Sequence, residues 1–267
     1  MSANELRKNN LYFRNIEGVG KLFKEILKKD TILTVKSTLT NISKIGGILL
    51  YTFKVMVVEV EELIMELTTK FGFFAKEALN AQIGIPPKDE EVTLLNAPSD
   101  YFVDLKGNPG KFFEGDLCLP NSKLLMIDRI TGYWNDGGKY SKGRIRGEKT
   151  VDPYEWFFKS HFFQDPVMPG TLGVEAMLQL LKAFAIENGL GDKFAHPRFE
   201  SVATDVEIDF KYRGEVKPTR KLIKIELDII DIVESDKGTL VTAEGYLWVD
   251  DLRIYHVKNI GVRVIER

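Results

Sequence analysis

Hydrophobic positions along much of the chain fall into β-branched and apolar runs that have the length of β-strands. β-branched and apolar runs predict early strands over residues 31–43, 48–58 and 63–74, with a turn at Gly46-Gly47. The strand over 48–58 is apolar enough to be expected buried on both faces. The same pattern predicts later strands over residues 202–212, 222–233, 239–249 and 252–264. A further hairpin is predicted from residues 124–134 and 140–151, joined by a turn at 135–138. The chain is therefore expected to be rich in antiparallel sheet.

One segment departs from this pattern. Residues 172–188 are apolar on nearly every side of a helix, and such a helix is buried. Pro169 suits the residue before the helix or its first turn, and Gly189 and Gly191 suit its end. The pattern predicts an α+β fold in which an antiparallel sheet wraps around a central helix at residues 172–188.

A weak internal repeat divides the chain. Residues 32–42 align with residues 222–232, and residues 71–73 align with 260–262, at an offset of about 190. No counterpart of the apolar helix precedes the first copy, so we expect the chain to begin in the middle of a first unit. The expected organisation is a partial unit over 1–85, a surface connector over 86–122 that is rich in Pro, Gly, Asp and Asn, and a complete unit over 123–267.

Composition narrows the class of protein. The 267 residues are 44% hydrophobic, enough for a packed core, and the net charge of −2 gives no reason to expect nucleic acid. A single cysteine, Cys118, excludes an internal disulfide, and with only three histidines no metal site is expected. No apolar run is long enough for a membrane span, and the first residues do not form a signal peptide. These features predict a cytoplasmic protein.

Candidate chemistry lies between His161 and Glu175. A carboxyl group inside an apolar helix favours its protonated form, which suits a proton donor; the alternative is a helix edge that reaches solvent, or a carboxylate satisfied by nearby backbone. His161 stands among aromatic residues that favour neutral imidazole, a base near pH 7; the alternative is a core histidine bonded to a carbonyl.

The segment between them supplies a third part. Residues 165–170 contain two prolines that force an extended turn, and Gly170 stands where the helix begins. Free amides at a helix start can hold a developing oxyanion. A base, an acid and an oxyanion donor are what removal of a proton next to a carbonyl requires.

These residues resemble the active-site motif of the hot-dog-fold dehydratases. The likeness is to the 3-hydroxydecanoyl-carrier-protein dehydratase/isomerases and, more, to the dehydratase domains of polyunsaturated fatty acid synthases. It rests on four segments, residues 124–130, 156–158, 161–170 and 172–179. The resemblance covers roughly residues 117–265, and residues 10–85 look like the back half of another hot-dog unit.

The resemblance implies a role for each matching residue. His161 would remove the α-proton, Glu175 would protonate the departing hydroxyl, and the Gly170 amide would bind the thioester carbonyl. The Val167 carbonyl would orient the imidazole, and Thr171 and Gln179 fall in the oxyanion and substrate-binding set. No cofactor is implied, because the substrate is carried on the phosphopantetheine of an acyl carrier protein.

The resemblance also predicts assembly and selectivity. Base and acid in this family come from two units packed side by side, so we expect a homodimer or pseudo-dimer in which His161 meets another unit's acid and Glu175 serves another unit's histidine. The dehydratase/isomerases carry Asp where this chain has Glu175, which favours dehydration over isomerisation. The alternatives are an enoyl isomerase or a thioesterase on the same scaffold, or a non-catalytic acyl-binding or structural module of a synthase.

Outside this segment the sequence offers one other candidate site. A group of basic residues suggests either a solvated sheet surface or a dock for an acidic carrier protein; it comprises Lys211, Arg213, Lys217, Arg220, Lys221 and Lys224. Structural or surface roles are expected for His196, His256 and Cys118. Gly18 and Gly20 form too poor a glycine pattern for a nucleotide loop.

Overall fold

A single antiparallel sheet runs through both parts of the chain in the computed structural model, which describes residues 11–26, 31–45 and 48–267. The first part contributes four strands, β1 Tyr12–Leu22, β2 Leu33–Ile45, β3 Ile48–Glu59 and β4 Glu62–Phe74. The three strands predicted here from β-branched and apolar runs correspond to β2, β3 and β4, and the predicted Gly46-Gly47 turn lies outside the described residues. β3 is half-buried along most of its length, so the burial on both faces expected from its apolar run is wrong.

The second part contributes eight strands and most of the core. They are β5 Val103–Asp104, β6 Arg129–Trp134, β7 Arg144–Thr150, β8 Pro197–Phe199, β9 Glu207–Tyr212, β10 Leu222–Ser235, β11 Gly238–Val249 and β12 Leu252–Glu266. The helices are α1 Lys76–Asn80, α2 Asp89–Leu95, α3 Gly110–Phe113 and α4 Gly170–Glu187. β6, β7 and β9 are shorter than predicted, because short turns of 3₁₀ helix and loop take up the ends of those segments.

The strand order displays the internal repeat. It runs β2-β3-β4-β1 and then β9-β12-β11-β10-β7-β6-β5, with β8 paired to β12. The two series β1–β4 and β9–β12 are thus arranged as mirror sequences about the β1–β9 junction, where Glu17 pairs with Lys211 and Lys21 pairs with Glu207. The two units therefore pair side by side within one chain, through β1 of the first unit and β9 of the second.

The central helix is buried as its sequence predicts. α4 packs against β7, β10, β11 and β12, and ten of its residues are buried, from Gly173 to Ala185. It begins directly after Pro169, and Gly189 follows its end at a φ of +60°, a conformation that favours glycine. No helix in the described part of the chain has the length and apolar character needed to cross a membrane.

The connector is not confined to the surface. Leu105, Phe112 and Leu119 are almost completely buried in the main core, and β5 joins the edge of the sheet. The prediction of a purely surface connector over 86–122 is wrong, since a few well-spaced apolar side chains anchor a Pro- and Gly-rich segment without giving it a periodic pattern.

Candidate active site

A cavity of about 620 Å³ lies between the two units. One wall comes from β1 and β4 of the first unit, with the apolar side chains of Phe13, Leu22, Met65, Leu67 and Phe71. The facing wall is formed by the segment before α4, the first turns of α4, and β9 and β12. This largely apolar lining with a few polar groups suits a ligand with an aliphatic chain.

His161 is held at the cavity wall by a tight loop. Its Nδ1 lies 3.0 Å from the Val167 carbonyl oxygen, and the Val167 amide donates to the His161 carbonyl at 2.8 Å. A carbonyl oxygen can only accept, so Nδ1 carries the hydrogen and Nε2 keeps its lone pair. Neutral His161 in this tautomer can therefore accept a proton at Nε2.

Glu175 is half-buried in the same cavity wall and is oriented by Gln179, one turn along α4. Gln179 Oε1 accepts from the Met126 amide at 2.7 Å, which fixes the side-chain amide with its Nε2 pointing the other way. That nitrogen donates to the Leu124 carbonyl at 2.8 Å and to Glu175 Oε1 at 2.7 Å. Because Oε1 already accepts a hydrogen bond, a proton on Glu175 is expected on Oε2.

α4 begins at the cavity with Gly170, which has no side chain. A Cβ added at Gly170 would lie 2.7 Å from Cε2 of the Tyr212 ring, so glycine allows the helix start and the ring to pack together. The first amides of a helix have no intrahelical acceptor and carry the positive end of its dipole. Gly170 and Thr171 both line the cavity, where such amides can stabilise a developing negative charge.

Two tyrosines complete this part of the lining. Burial raises the pKa of both Tyr212 and Tyr255. Tyr255 raises the pKa of Tyr212 further, and Glu215 raises the pKa of Tyr255 further. Their phenols are therefore neutral across the physiological range. Neither phenol is therefore suited to act as a base there, and the imidazole of His161 and the carboxyl group of Glu175 remain the candidate groups taken from the sequence.

The structure brings together five of the six sequence-predicted site residues. His161, Val167, Gly170, Thr171 and Glu175 all line the cavity. Gln179 is fully buried and lies outside this lining, and its side chain donates a hydrogen bond to Glu175.

The expected exchange of residues between units stays a prediction. We expect His161 to meet another unit's acid, and in the single chain Glu175 lines the same cavity as His161. The first unit adds part of the apolar wall, the polar residue Asn15 and the charged residues Arg14 and Lys21. Sequence reasoning missed Arg14 and its partner Glu215, which line the cavity, because charged residues are ordinarily exposed to solvent.

The remaining candidates have contacts of their own. His256 Nε2 lies 2.6 Å from Glu244 Oε1, and its ring stacks on Tyr246, which agrees with a structural role. Cys118 is exposed. In the basic group, Arg213, Lys217 and Arg220 form ion pairs with Glu17, Glu215 and Asp250, so half of that group is engaged within the chain.

Comparisons with known proteins agree with this architecture. A family profile described as FabA-like domain matches residues 119–258. One of the subunits of a polyunsaturated fatty acid synthase from Thraustochytrium sp. is 30% identical over 294 aligned positions, which cover 97% of this chain and 18% of that protein. The chain therefore spans less than a fifth of the length of this relative.

A solved structure shares the fold. A candidate oleoyl thioesterase from Lactobacillus plantarum matches with a TM-score of 0.54 and 11% identity, over 100% of this chain and 81% of that one. At such low identity the likeness concerns the fold alone. The predicted hot-dog fold and the resemblance drawn from residues 161–179 are confirmed.

Proposed function

Because the chain belongs to the FabA-like domain family, we propose that its inter-unit cavity dehydrates 3-hydroxyacyl thioesters carried on an acyl carrier protein, giving trans-2-enoyl thioesters. Dehydration of 3-hydroxyacyl thioesters is the activity that this membership supports. The observation that carries the proposal is the presence of His161, Glu175 and the start of α4 around one largely apolar cavity.

The reaction begins at the α-carbon. The thioester carbonyl accepts a hydrogen bond from the Gly170 amide, which stabilises the negative charge that develops on its oxygen. His161 Nε2 takes the α-proton, while its Nδ1 hydrogen stays on the Val167 carbonyl and fixes the ring. The imidazole becomes a cation as the α-carbon releases its electron pair.

Loss of water completes the reaction. The C2–H electron pair forms the C2=C3 bond as the C3–O bond breaks, and Glu175 protonates the leaving hydroxyl from Oε2. One molecule of enoyl thioester and one of water leave, with His161 protonated and Glu175 ionised. Transfer of that proton from His161 to Glu175 restores both groups, so the cycle needs no outside reagent.

The direct test is an assay with 3-hydroxyacyl-N-acetylcysteamine thioesters and then with carrier-bound substrates. We expect the enoyl thioester to accumulate, seen by mass spectrometry. Replacing His161 with Ala, or Glu175 with Gln, should lower turnover by about 10²–10⁴-fold, the usual contribution of a positioned acid or base. His196→Ala is a matched control, since His196 is exposed and lies outside the cavity.

The same assay separates the alternatives. A thioesterase would release free thiol, and an enoyl isomerase would convert a trans-2-enoyl thioester without loss of water. A non-catalytic acyl-binding module would bind the thioester and leave it unchanged. Near-normal dehydration by His161→Ala would refute the assigned chemistry.

A further inference from the structure

Arg14, on β1 of the first unit, reaches across the unit boundary to the loop that carries His161. Its Nη1 and Nη2 donate to the two carboxylate oxygens of Asp165 at 2.6 and 2.9 Å. Its Nε donates to the Glu215 carboxylate. The planar guanidinium thus binds one carboxylate through two parallel hydrogen bonds and a second through its remaining edge.

These contacts are shielded from solvent. The side chains of Arg14, Asp165 and Glu215 are 11%, 18% and 9% exposed. Burial would lower the pKa of Arg14, but the hydrogen bonds and charges of Asp165 and Glu215 leave it above its ordinary value. Desolvated bidentate pairs of this kind fix geometry far better than exposed pairs, which solvent and salt weaken.

Both carboxylates belong to segments that shape the cavity. Asp165 lies in the loop closed by the bonds between His161 and Val167, and its own backbone exchanges two hydrogen bonds with Phe162. Glu215 precedes Val216, whose carbonyl accepts from the Met168 amide at 2.9 Å, at the other end of the same loop. Arg14 therefore holds both the tip of the loop and the strand-like segment against which the loop lies.

We propose that Arg14 is a positioning residue that holds the His161 loop in its reactive geometry, so that the first unit takes part in the second unit's chemistry. The inference rests on the proposed function and deepens it. Arg14 does not take or give a proton; it keeps the Val167 carbonyl where it can hold His161 Nδ1. Misplacement of a catalytic group by about 1 Å can cost on the order of 10²-fold in rate.

A second arginine offers a matched control. Arg213 also links the units, donating to the Ile16 carbonyl and to Glu17 Oε2, each at 2.7 Å. Its remaining hydrogen bond goes to the neighbouring Tyr212 carbonyl, away from the His161 loop. Arg213→Met therefore weakens the β1–β9 junction without touching the loop, whereas Arg14→Met removes the loop contact.

The test measures turnover and the His161 tautomer together in the full chain. We expect Arg14→Met to lower kcat by about 10–100-fold with KM within about threefold, and Arg14→Lys to recover part of the loss. In ¹⁵N spectra of labelled histidine, wild type and Arg213→Met should show His161 with hydrogen on Nδ1, and Arg14→Met should show averaged tautomers. With the N-acetylcysteamine substrate, whose turnover does not depend on docking of a carrier protein, Arg213→Met should keep kcat within about threefold of wild type.

Each other outcome is decisive. The proposal is overturned if Arg14→Met leaves the His161 spectrum unchanged, or if Arg14→Met and Arg213→Met lose activity equally without a spectral change. Should Arg14→Met fail to fold, Asp165→Asn carries the same comparison, since it releases the loop while Arg14 keeps Glu215. If wild type itself does not dehydrate, the proposed function fails, and the spectra still decide whether Arg14 positions His161.

Discussion

Gln179 Nε2 lies 2.7 Å from Glu175 Oε1, one turn further along α4. The same side-chain amide is tied to the backbone of Met126 and Leu124, so its orientation is set by groups that cannot rotate. The carboxyl proposed as the acid is thus held by a fully buried side chain.

Replacing Gln179 with Leu should affect both stability and rate. The Met126 amide and the Leu124 carbonyl each lose a partner, at about 1–3 kcal/mol for each group left buried and unpaired. Turnover should fall by about tenfold, because Glu175 loses its orientation. Urea denaturation and steady-state kinetics measure the two effects, and an unchanged kcat in a destabilised protein would rule out the orienting role.

Replacing Gly170 with Ala tests the packing at the start of α4. The added Cβ would lie 2.7 Å from Tyr212 Cε2, so either the ring or the helix start must move, at about 1–3 kcal/mol. Gly107→Ala is the control, since the nearest atom to its added Cβ is 3.7 Å away. Thermal unfolding should separate the two variants, and an Ala at 170 that stabilised the helix would contradict the close contact.

A buried ion cluster on the sheet should matter more for stability than a neighbouring surface pair. Arg144 Nη1 donates to Asp228 Oδ1 at 2.7 Å, and its Nη2 donates to Glu226, all three side chains being nearly inaccessible. Arg144→Met should cost about 3–5 kcal/mol, because two buried carboxylates lose their cation.

Lys142 provides the comparison, since its pair with Asp231 is about half-exposed on both sides. Lys142→Met should change the free energy of unfolding by about 0–1 kcal/mol. Denaturant titration of both variants measures the difference, and equal effects would show that burial does not govern the cluster.

Acid should weaken the fold partly through Glu244. Burial alone would raise the pKa of Glu244, but hydrogen bonds from His256, Lys139 and Tyr140 hold it well below its ordinary value. A carboxylate with a lowered folded-state pKa stabilises the protein above its ordinary pKa, and that stability is lost as pH falls toward the folded value.

The variant Glu244→Gln removes this contribution. At pH 7 it should be less stable than wild type by roughly 1–3 kcal/mol, and the gap should narrow as pH falls below the ordinary value of 4.5. Urea midpoints measured from pH 7 to pH 3 give the comparison. If the difference in stability between wild type and Glu244→Gln widened in acid, the pKa of Glu244 would not be lowered in the folded protein.

Much of the architecture could be predicted from the sequence, because the relevant signals are local. β-branched and apolar runs located β2–β4 and β10–β12, and an apolar segment without a polar face located the helix α4. His161 and Glu175 were found in the same way, from side chains that are out of place in apolar surroundings. The strand β1 was not predicted, since Gly18 and Gly20 weaken its pattern. Gly18 is needed there because an added Cβ would lie 2.5 Å from the Phe210 ring.

The long-range contacts could not be predicted. Arg14 lies 151 positions from Asp165 and 201 from Glu215, and nothing in the neighbourhood of any of the three indicates the others. The pairing of β1 with β9 is equally remote in sequence. A repeat can indicate that two units are alike, but which strand joins them depends on edges that form only once both units have folded.

The β1–β9 junction bears on how such proteins can be recombined. The family match begins at residue 119, yet β1, with Arg14 and part of the cavity wall, lies about a hundred positions earlier. A chimera that exchanged only residues 123–267 with those of a relative would place the relative's loop against Arg14 of this chain. It would also place the relative's strand against β1 of this chain. The segment to be exchanged is therefore discontinuous in sequence. Residues 11–26 have to be exchanged together with the second unit, because they support His161 of that unit.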